Sequence, residues 1–301
     1  MGFKATLAKI RTMDLKTILS KIKARIDGQI RRFTIFVKSR KIYIYLDVNL
    51  KALYGRFVIF ISGQGRKYKK YLKSIKNIHE GERCFIIGNG PSLKASDLDK
   101  IANDVSFASN RIYKIFPETK WRPTYYGIID NAMFESEDEI KNVTALKCEK
   151  KFFIDKGYYL SKKIPGDKCY MHAIFTKKLF KNPKFSHDLP KRIYSFSTVT
   201  YSLIQLAVYM GFKKIYLLGM DNSYAREIDK NGNLVINKGV KSYFGVQPEC
   251  ESKNLGWPGE NDIVFSYVEN YSRQKDFRVF NATRGGKLEC FERVDFDTLF
   301  E

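Results

Sequence analysis

The sequence predicts an α/β fold built on a Rossmann-like, open and mostly parallel sheet. Short, continuous apolar runs are typical of strands that are covered on both faces. Helical patterns separate many of these runs, as the crossovers of a parallel sheet require. Five cysteines are scattered over 301 residues without a Cys-x-x-Cys pair. This spacing favours reduced thiols over a disulfide framework or a zinc site.

The first quarter of the chain is strongly basic. Residues 1–76 contain 20 Lys and Arg against three Asp, so they carry +17 of the net charge of +22. Between residues 15 and 30, apolar residues recur every three or four positions among basic ones, which predicts an amphipathic helix. We therefore expect a basic, mainly helical segment over 1–76 and a nucleotide-sugar-binding catalytic domain over 77–301.

Three interpretations of this segment stay open. An anionic membrane surface fits a helix with a basic polar face. A helical hairpin packed on the main domain fits as well. Nucleic acid fits less, because aromatic residues such as Phe33 and Tyr43 lie inside apolar runs. No stretch reaches the roughly 20 apolar residues of a spanning helix, so we expect a cytoplasmic protein, peripheral on the inner face of the membrane, with no nucleic-acid partner.

The main domain alternates predicted strands and helices. The strands are predicted, in chain order, at residues 83–87, 105–109, 124–129, 151–154, 192–194, 214–218 and 277–280. The clearest helix covers residues 198–210, with Ser197 as its N-cap and Gly211 as its C-terminal stop.

Residues 88–93, Gly-Asn-Gly-Pro-Ser-Leu, follow the first strand and lead into a predicted helix. A glycine turn of this kind lets backbone N–H groups approach an anion, and a helix N-terminus adds positive partial charge. The spacing matches neither G-x-G-x-x-G nor a Walker A loop. We expect a phosphate to bind at this loop.

Four further polar clusters follow or adjoin predicted strands: Asn110-Arg111, Asp130-Asn131, residues 195–198 and residues 219–222. Singly, such residues are ordinary in turns and helix caps. Because parallel strands end at one edge of their sheet, and ligands bind there, the clusters together predict a nucleotide pocket.

Four sequence blocks resemble known families. Residues 85–93, and Ser197-Thr198 with residues 211–221, resemble the bacterial sialyltransferases that act on lipooligosaccharide. Residues 107–112 and 281–289 are similar to the group of motility-associated flagellin glycosyltransferases and archaeal MptE-like 6-hydroxymethylpterin pyrophosphokinases. The resemblance covers about residues 82–299. It implies the sialyltransferase-type variant of the GT-A fold.

The resemblance also implies a CMP-sugar donor and a set of donor-binding residues. Asn89, Gly90 and Ser92 would approach its phosphate and ribose, and Asn110 would lie near the phosphate. The full set implied is Gly88, Asn89, Gly90, Pro91, Ser92, Asn110, Asn131, Ser197, Thr198, Gly219, Met220 and Asp221.

The sequence departs from the sialyltransferases at their catalytic histidine. The corresponding segment, residues 241–245, reads Lys-Ser-Tyr-Phe-Gly, and no histidine follows His187. A histidine suits proton transfer near neutral pH, whereas an ordinary tyrosine does not. The base is therefore a carboxylate, a perturbed Tyr243, or absent. The carboxylates considered are Asp130, Asp221, Glu249 and Glu251, while His172 and His187 are interpreted as packing residues.

Three functions are compatible with the sequence. The first is an inverting, metal-independent glycosyltransferase that acts on a surface glycan such as capsule or lipopolysaccharide and needs no cofactor beyond its donor. The second is a pyrophosphokinase, with Mg²⁺ held by Asp130 and Asp221. The third is a nucleotide-binding relative without catalysis. The sequence makes no prediction of the oligomeric state.

Overall fold

The computed structural model describes residues 41–129, 131–134, 136–154, 158–162, 164–175, 183–196, 198–223, 226–228, 234–236 and 260–301. The predicted helix at 15–30 lies outside the described residues, as do Asp130, Ser197, Tyr243, Glu249 and Glu251. The chain forms two compact units, residues 1–47 and residues 48–301.

Two helices precede the sheet: α1 (Lys41–Ile61) and α2 (Gln64–Ser74). Helix α2 buries Tyr68 and Leu72 in the hydrophobic core. The second compact unit begins at Val48, so residues 48–76, which composition assigns to the basic segment, pack in the unit that holds the sheet. None of the described helices is long and apolar enough to cross a membrane.

Eight strands form one sheet in the order β12-β11-β8-β1-β2-β3-β4-β5. All of its strand pairs are parallel. The strand bounds are β1 Arg83–Ile87, β2 Val105–Ser109, β3 Tyr125–Ile128, β4 Lys150–Ile154, β5 Lys168–Met171, β6 Ala173–Phe175, β7 Ile193–Ser195, β8 Lys214–Leu218, β9 Arg226–Ile228, β10 Leu234–Ile236, β11 Arg278–Asn281 and β12 Glu292–Arg293. The predicted open, mostly parallel α/β sheet is confirmed.

Two details of the sheet differ from the sequence-based expectation. Strand β5 was not predicted; it forms one edge of the sheet and buries the short apolar run from Cys169 to Met171. Strand β7, predicted at 192–194, pairs with β6 in a separate two-stranded sheet. Strands β9 and β10 form a small antiparallel hairpin.

The other α-helices of the described residues are α3 (Ala95–Lys100), α4 (Glu137–Ala145), α5 (Tyr158–Ser161), α6 (Val199–Tyr209) and α7 (Glu260–Ser272). The same residues include 3₁₀ helices at Ile112–Glu118, Asn131–Phe134 and Asp297–Phe300.

Helix α6 is buried on every side, although its sequence suggested one apolar face. The buried Gln205 is satisfied, since its side chain bonds the backbone of Ser186 and Tyr194. The helix is capped by the Thr198 side chain, which accepts from the Thr200 N–H. The cap predicted at Ser197 therefore lies one residue later, because the first helical residue is Val199. Gly211, with φ of 101°, follows the end of the helix as predicted.

The strand order reverses at β1. From β1 the chain continues through β2, β3, β4 and β5 on one side, whereas β8, β11 and β12 lie on the other. Ligands of open parallel sheets bind at such a switch point, beyond the carboxyl ends of the two strands. Here the two strands are β1 and β8, and the segments that follow them are the glycine loop, residues 88–93, and residues 219–222.

Candidate functional site

The glycine loop and the segment after β8 are joined directly. The Gly88 N–H donates to the Leu218 carbonyl at 2.8 Å, and the Gly90 N–H donates to the Gly219 carbonyl at 2.9 Å. These bonds continue the ladder between the two strands past their ends. The two loops are therefore joined by backbone hydrogen bonds just beyond the ends of β1 and β8.

The contact between the two loops explains why these positions are glycine better than the close approach of a ligand does. A Cβ at Gly88 would lie 2.2 Å from the Gly219 carbonyl oxygen, and one at Gly90 would lie 1.7 Å from Asp221 Oδ2. Gly219 itself has φ of 68°, a left-handed value that side chains disfavour. All three positions need glycine because the two loops pack against each other.

The same contacts occupy the donors that were expected to receive a phosphate. Besides the two bonds above, the Ser92 N–H donates to Asp221 Oδ2 at 3.3 Å, and the Leu93 N–H donates to the Gly90 carbonyl at 3.2 Å. Pro91 has no N–H, so the remaining donor of this loop belongs to Asn89. In this conformation the glycine loop is not the phosphate cradle that its sequence suggested.

Asp221 fixes the shape of the glycine loop. Its Oδ2 accepts from the Ser92 hydroxyl at 2.8 Å as well as from the Ser92 N–H, and its carbonyl accepts from the Lys287 N–H at 2.8 Å. A carboxylate held by two donors is a good anchor, because charge-assisted hydrogen bonds are the stronger kind. The structure gives Asp221 a positioning role at the site.

Three buried amide oxygens follow the three central strands. Asn89 Oδ1, after β1, Asn110 Oδ1, after β2, and Asn222 Oδ1, after β8, each lack a hydrogen-bond partner among the described residues. Two of these amides are oriented by their other end, because Asn89 Nδ2 donates to the Ser109 carbonyl at 3.1 Å and Asn222 Nδ2 to Asp262 at 2.7 Å. Unpaired buried acceptors are costly, so the group that completes this site carries hydrogen-bond donors.

Sheet register brings two of these residues side by side. Ile87 pairs with Ala108, so Asn89 and Asn110 occupy matching positions two residues beyond it. Asn110 has φ of 51°, and its carbonyl accepts from the buried Tyr126 hydroxyl at 2.5 Å. Asn is among the few residues that tolerate this backbone conformation. The left-handed backbone at this position therefore favours an asparagine.

The N-terminus of α6 lies against the same loops. The Thr200 hydroxyl contacts Met220 Sδ at 3.5 Å, and a Cβ at Gly88 would meet the same sulfur at 2.8 Å. Met220 therefore connects the first turn of α6 to the glycine loop. The unpaired N–H groups and the dipole of a helix N-terminus favour an anion, which places the positive end of this site at Thr198 and Thr200.

A third loop completes the edge of the sheet, and no role was predicted for it. The Thr283 hydroxyl accepts from the Met220 N–H at 3.0 Å, and Gly286 packs against the Asp221 backbone. Arg284 links this loop to α3 through two bonds to the buried Asp97, at 2.9 and 3.0 Å. These bonds raise the pKa of Arg284 above its usual range. The signal was available, because Thr283 lies three residues after the strand predicted at 277–280.

Arg111, next to Asn110, is bound to α4. Its Nε donates to Glu139 Oε1 at 2.5 Å, and the Tyr113 hydroxyl donates to the other oxygen of the same carboxylate. Burial, followed by the hydrogen bond to Glu139, raises the pKa of Tyr113 well above 10. This cluster ties the loop after β2 to the outer helix.

The other predicted site residues are distributed as follows. Pro91 is exposed on the glycine loop, and Asn131 begins the 3₁₀ helix after β3. His187 contacts the Tyr271 hydroxyl, away from the strand ends. Among the described residues, no three His, Cys, Asp or Glu side chains converge to hold a metal ion.

Comparison with known proteins gives one family and two solved structures. The family model described as 6-hydroxymethylpterin diphosphokinase MptE-like matches residues 63–227. The MAf glycosyltransferase of Magnetospirillum magneticum AMB-1 is similar over 78% of this chain and 39% of its own, at 14% identity and a TM-score of 0.46. This chain thus spans about two fifths of that protein.

The second structure is the sialyltransferase CstII of Campylobacter jejuni, solved in complex with a substrate analogue, cytidine-5'-monophosphate. It is similar over 71% of this chain and 85% of its own, at 15% identity and a TM-score of 0.40. Comparison with curated proteins finds no match.

Proposed function

Because the chain belongs to the 6-hydroxymethylpterin diphosphokinase MptE-like family, we propose that it binds a nucleotide at the switch point and transfers the group that the nucleotide activates. The specific proposal is a glycosyltransferase with a CMP-activated sugar, sialic acid or another ulosonic acid, as donor. The sequence blocks that resemble the sialyltransferases support this choice of donor.

The observation that carries the proposal is the set of unpartnered amide oxygens on Asn89, Asn110 and Asn222. An ionised phosphate offers only acceptors, so it cannot satisfy them. A nucleoside offers donors, namely the two ribose hydroxyls and, in cytidine, the amino group of the base. We therefore assign the nucleoside to the loops after β8, β1 and β2, and the phosphate to the N-terminus of α6.

In the proposed reaction the acceptor hydroxyl attacks the anomeric carbon as the bond to the CMP phosphate breaks, with inversion. The N-terminus of α6 stabilises the charge that develops on the departing phosphate. Asp221 holds the glycine loop in place through Ser92. Its Oδ2 already accepts two hydrogen bonds, so Asp221 is the less favoured base. Asp130 and Tyr243 remain the proposed candidates for proton removal.

The acceptor is proposed to be a surface-destined glycan or glycolipid, modified at the inner face of the membrane. The basic segment over residues 1–76 supports this location, because its charge of +17 favours an anionic membrane surface. The protein would then be peripheral and cytoplasmic.

A diphosphokinase is the second candidate, and the family match favours it. Such an enzyme uses Mg²⁺ to neutralise the phosphates that it transfers. Of the two ligands predicted for this ion, Asp221 is engaged with Ser92 through Oδ2 and Asp130 lies outside the described residues. The described donor set therefore does not fit a magnesium ion as it stands.

A thermal-shift screen with CMP, UDP, GDP and ATP, each with and without Mg²⁺, separates the candidates, since a ligand that binds the folded state raises the melting temperature. Stabilisation by CMP without metal, followed by turnover of CMP-sialic acid or CMP-Kdo, would support the glycosyltransferase. Stabilisation by ATP only with Mg²⁺ would favour the diphosphokinase. CMP binding without turnover over several donors and acceptors would indicate a non-catalytic relative.

A further inference from the structure

Helix α1 has an apolar face that is exposed in the part of the chain that the structure describes. Six large side chains on this face are exposed, with exposed fractions between 57% for Tyr54 and 76% for Phe60. We call this set the apolar stripe: Leu50, Leu53, Tyr54, Phe57, Phe60 and Ile61.

Helix geometry makes the stripe a single surface. At 100° per residue its six members fall within an arc of about 120°. The buried residues of this part of α1, Gly55 and Ile59, lie on the opposite side. Lys51 and Arg56, both exposed, flank the stripe on its two sides. The helix thus packs on the protein through a narrow face and presents its broad apolar face outward.

The charge around the stripe has one sign. Between Val48 and His79 the sequence contains eight Lys and Arg residues and no Asp or Glu. All eight are exposed: Lys51, Arg56, Arg66, Lys67, Lys69, Lys70, Lys73 and Lys76. Apolar side chains beside a continuous basic surface complement the acyl boundary and the phosphates of an anionic bilayer. A second copy of this basic surface would repel the first.

The stripe ends at the same edge of the sheet as the candidate site. The Tyr68 ring of α2 lies 5.5 Å from the Tyr170 ring, which in turn lies 5.0 Å from Tyr158, beyond the carboxyl end of β4. After α2, the Asn77 N–H bonds the Tyr209 carbonyl at the far end of α6. Helix α2 therefore runs opposite to the strands, and its start, three residues after Ile61, lies at their carboxyl edge.

We propose that the apolar stripe of α1 inserts into the surface of an anionic membrane and that this contact turns the carboxyl edge of the sheet toward the bilayer. The inference deepens the proposed membrane attachment and rests on it. An acceptor carried on a lipid would then reach the site without leaving the membrane.

Tryptophan fluorescence with vesicles of brominated lipids tests the contact in the full chain. Phe57→Trp places a reporter on the stripe, and Ile78→Trp is the matched control, because Ile78 is also exposed but lies at the opposite edge of the sheet, beside the far end of α6. With vesicles that contain about 30% phosphatidylglycerol, we expect quenching of the added emission for Phe57→Trp and none for Ile78→Trp. The wild type corrects for the two native tryptophans.

Sedimentation with vesicles gives the second readout. The double variant Phe57→Ser/Phe60→Ser should lower the partition coefficient about 100-fold, because each large apolar side chain contributes roughly tenfold. Ile78→Ser, at the opposite edge of the sheet, should bind as the wild type does. Unquenched Phe57→Trp in vesicle-bound protein would overturn the inference and assign binding to residues outside the stripe. So would a double variant that binds fully but dissociates from dimer to monomer by light scattering, since the stripe would then face a second copy.

If the wild type binds neither neutral nor anionic vesicles, both the membrane attachment and the stripe contact are wrong. The nucleotide screen is unaffected by that result.

Discussion

Replacement of Asn110 by glycine tests the acceptor role of the buried amides most cleanly. Glycine keeps the backbone conformation at φ of 51° and removes only the side chain with its unpartnered Oδ1. The bond from Tyr126 to the carbonyl of residue 110 can remain. The variant therefore separates the amide from the turn that carries it.

Two magnitudes follow for Asn110→Gly. A hydrogen bond to a neutral donor contributes about 0.5–1.5 kcal/mol, so the Kd for CMP should rise roughly 2- to 12-fold. The unliganded protein loses a buried acceptor that lacks a partner, which offsets the roughly 0.5–1 kcal/mol of backbone entropy that glycine costs. Its free energy of unfolding should change by less than about 1 kcal/mol.

Isothermal titration with CMP measures the affinity, and urea denaturation measures the stability. Asn77→Gly is the matched control, because Asn77 also has a positive φ, 57°, but lies at the opposite edge of the sheet. We expect Asn77→Gly to bind CMP as the wild type does. Wild-type affinity in Asn110→Gly, or an equal loss in both variants, would refute the acceptor role.

Three further predictions concern the frame of the site. Gly88→Ala should lower the free energy of unfolding by about 2–4 kcal/mol through overpacking and lost loop bonds. The control Gly65→Ala, in helix α2, where the nearest atom to an added Cβ lies at 3.6 Å, should raise this free energy by about 0.5–1 kcal/mol. Urea denaturation compares the two variants, and equal effects would argue against the contact between the loops. Asp221→Asn should raise KM for the donor about tenfold and leave kcat within about threefold if the residue positions Ser92, and a kcat loss of 100-fold or more would instead identify it as the base. Asp97→Ala should destabilise the fold by about 2–3 kcal/mol, because Arg284 loses its buried partner but keeps its ion pair with Asp297 and some contact with solvent. Asp276→Ala, which removes an exposed ion pair with Lys213, should scarcely change the denaturation midpoint. Similar midpoints for the two variants would contradict the structural role of Asp97.

The central part of the fold could be predicted because its strands are buried on both faces. Residues 84–87 and 215–218 form continuous apolar runs, and the structure has strands at Arg83–Ile87 and Lys214–Leu218. Strand β5 was not predicted because its apolar run, Cys169 to Met171, is only three residues long and lies between Lys168 and His172. Helix α6 was predicted to have a single apolar face. The burial of Gln205 could not be predicted, because it depends on hydrogen bonds with the backbone of residues far from it in sequence.

The edge of the sheet at which we place the site could be predicted from sequence, but the contacts there could not. Polar residues after the strands predicted this edge, and the structure places the unpartnered amide oxygens of Asn89, Asn110 and Asn222 there. The Gly88 and Gly90 N–H groups donate to the carbonyls of Leu218 and Gly219 because β1 pairs with β8, which lies about 130 residues later in the chain. Sequence pattern alone carries no information on that pairing, so the glycines suggested a phosphate loop where the structure has a contact between two loops.

A crystal structure of the protein with CMP would locate the nucleotide. We expect the nucleoside at the β1–β8 switch point, with ribose or base donors within about 3.2 Å of the Oδ1 atoms of Asn89, Asn110 and Asn222, and the phosphate at the N-terminus of α6. A phosphate bound by the N–H groups of residues 88–92, or a nucleotide bound away from these loops, would contradict this expectation.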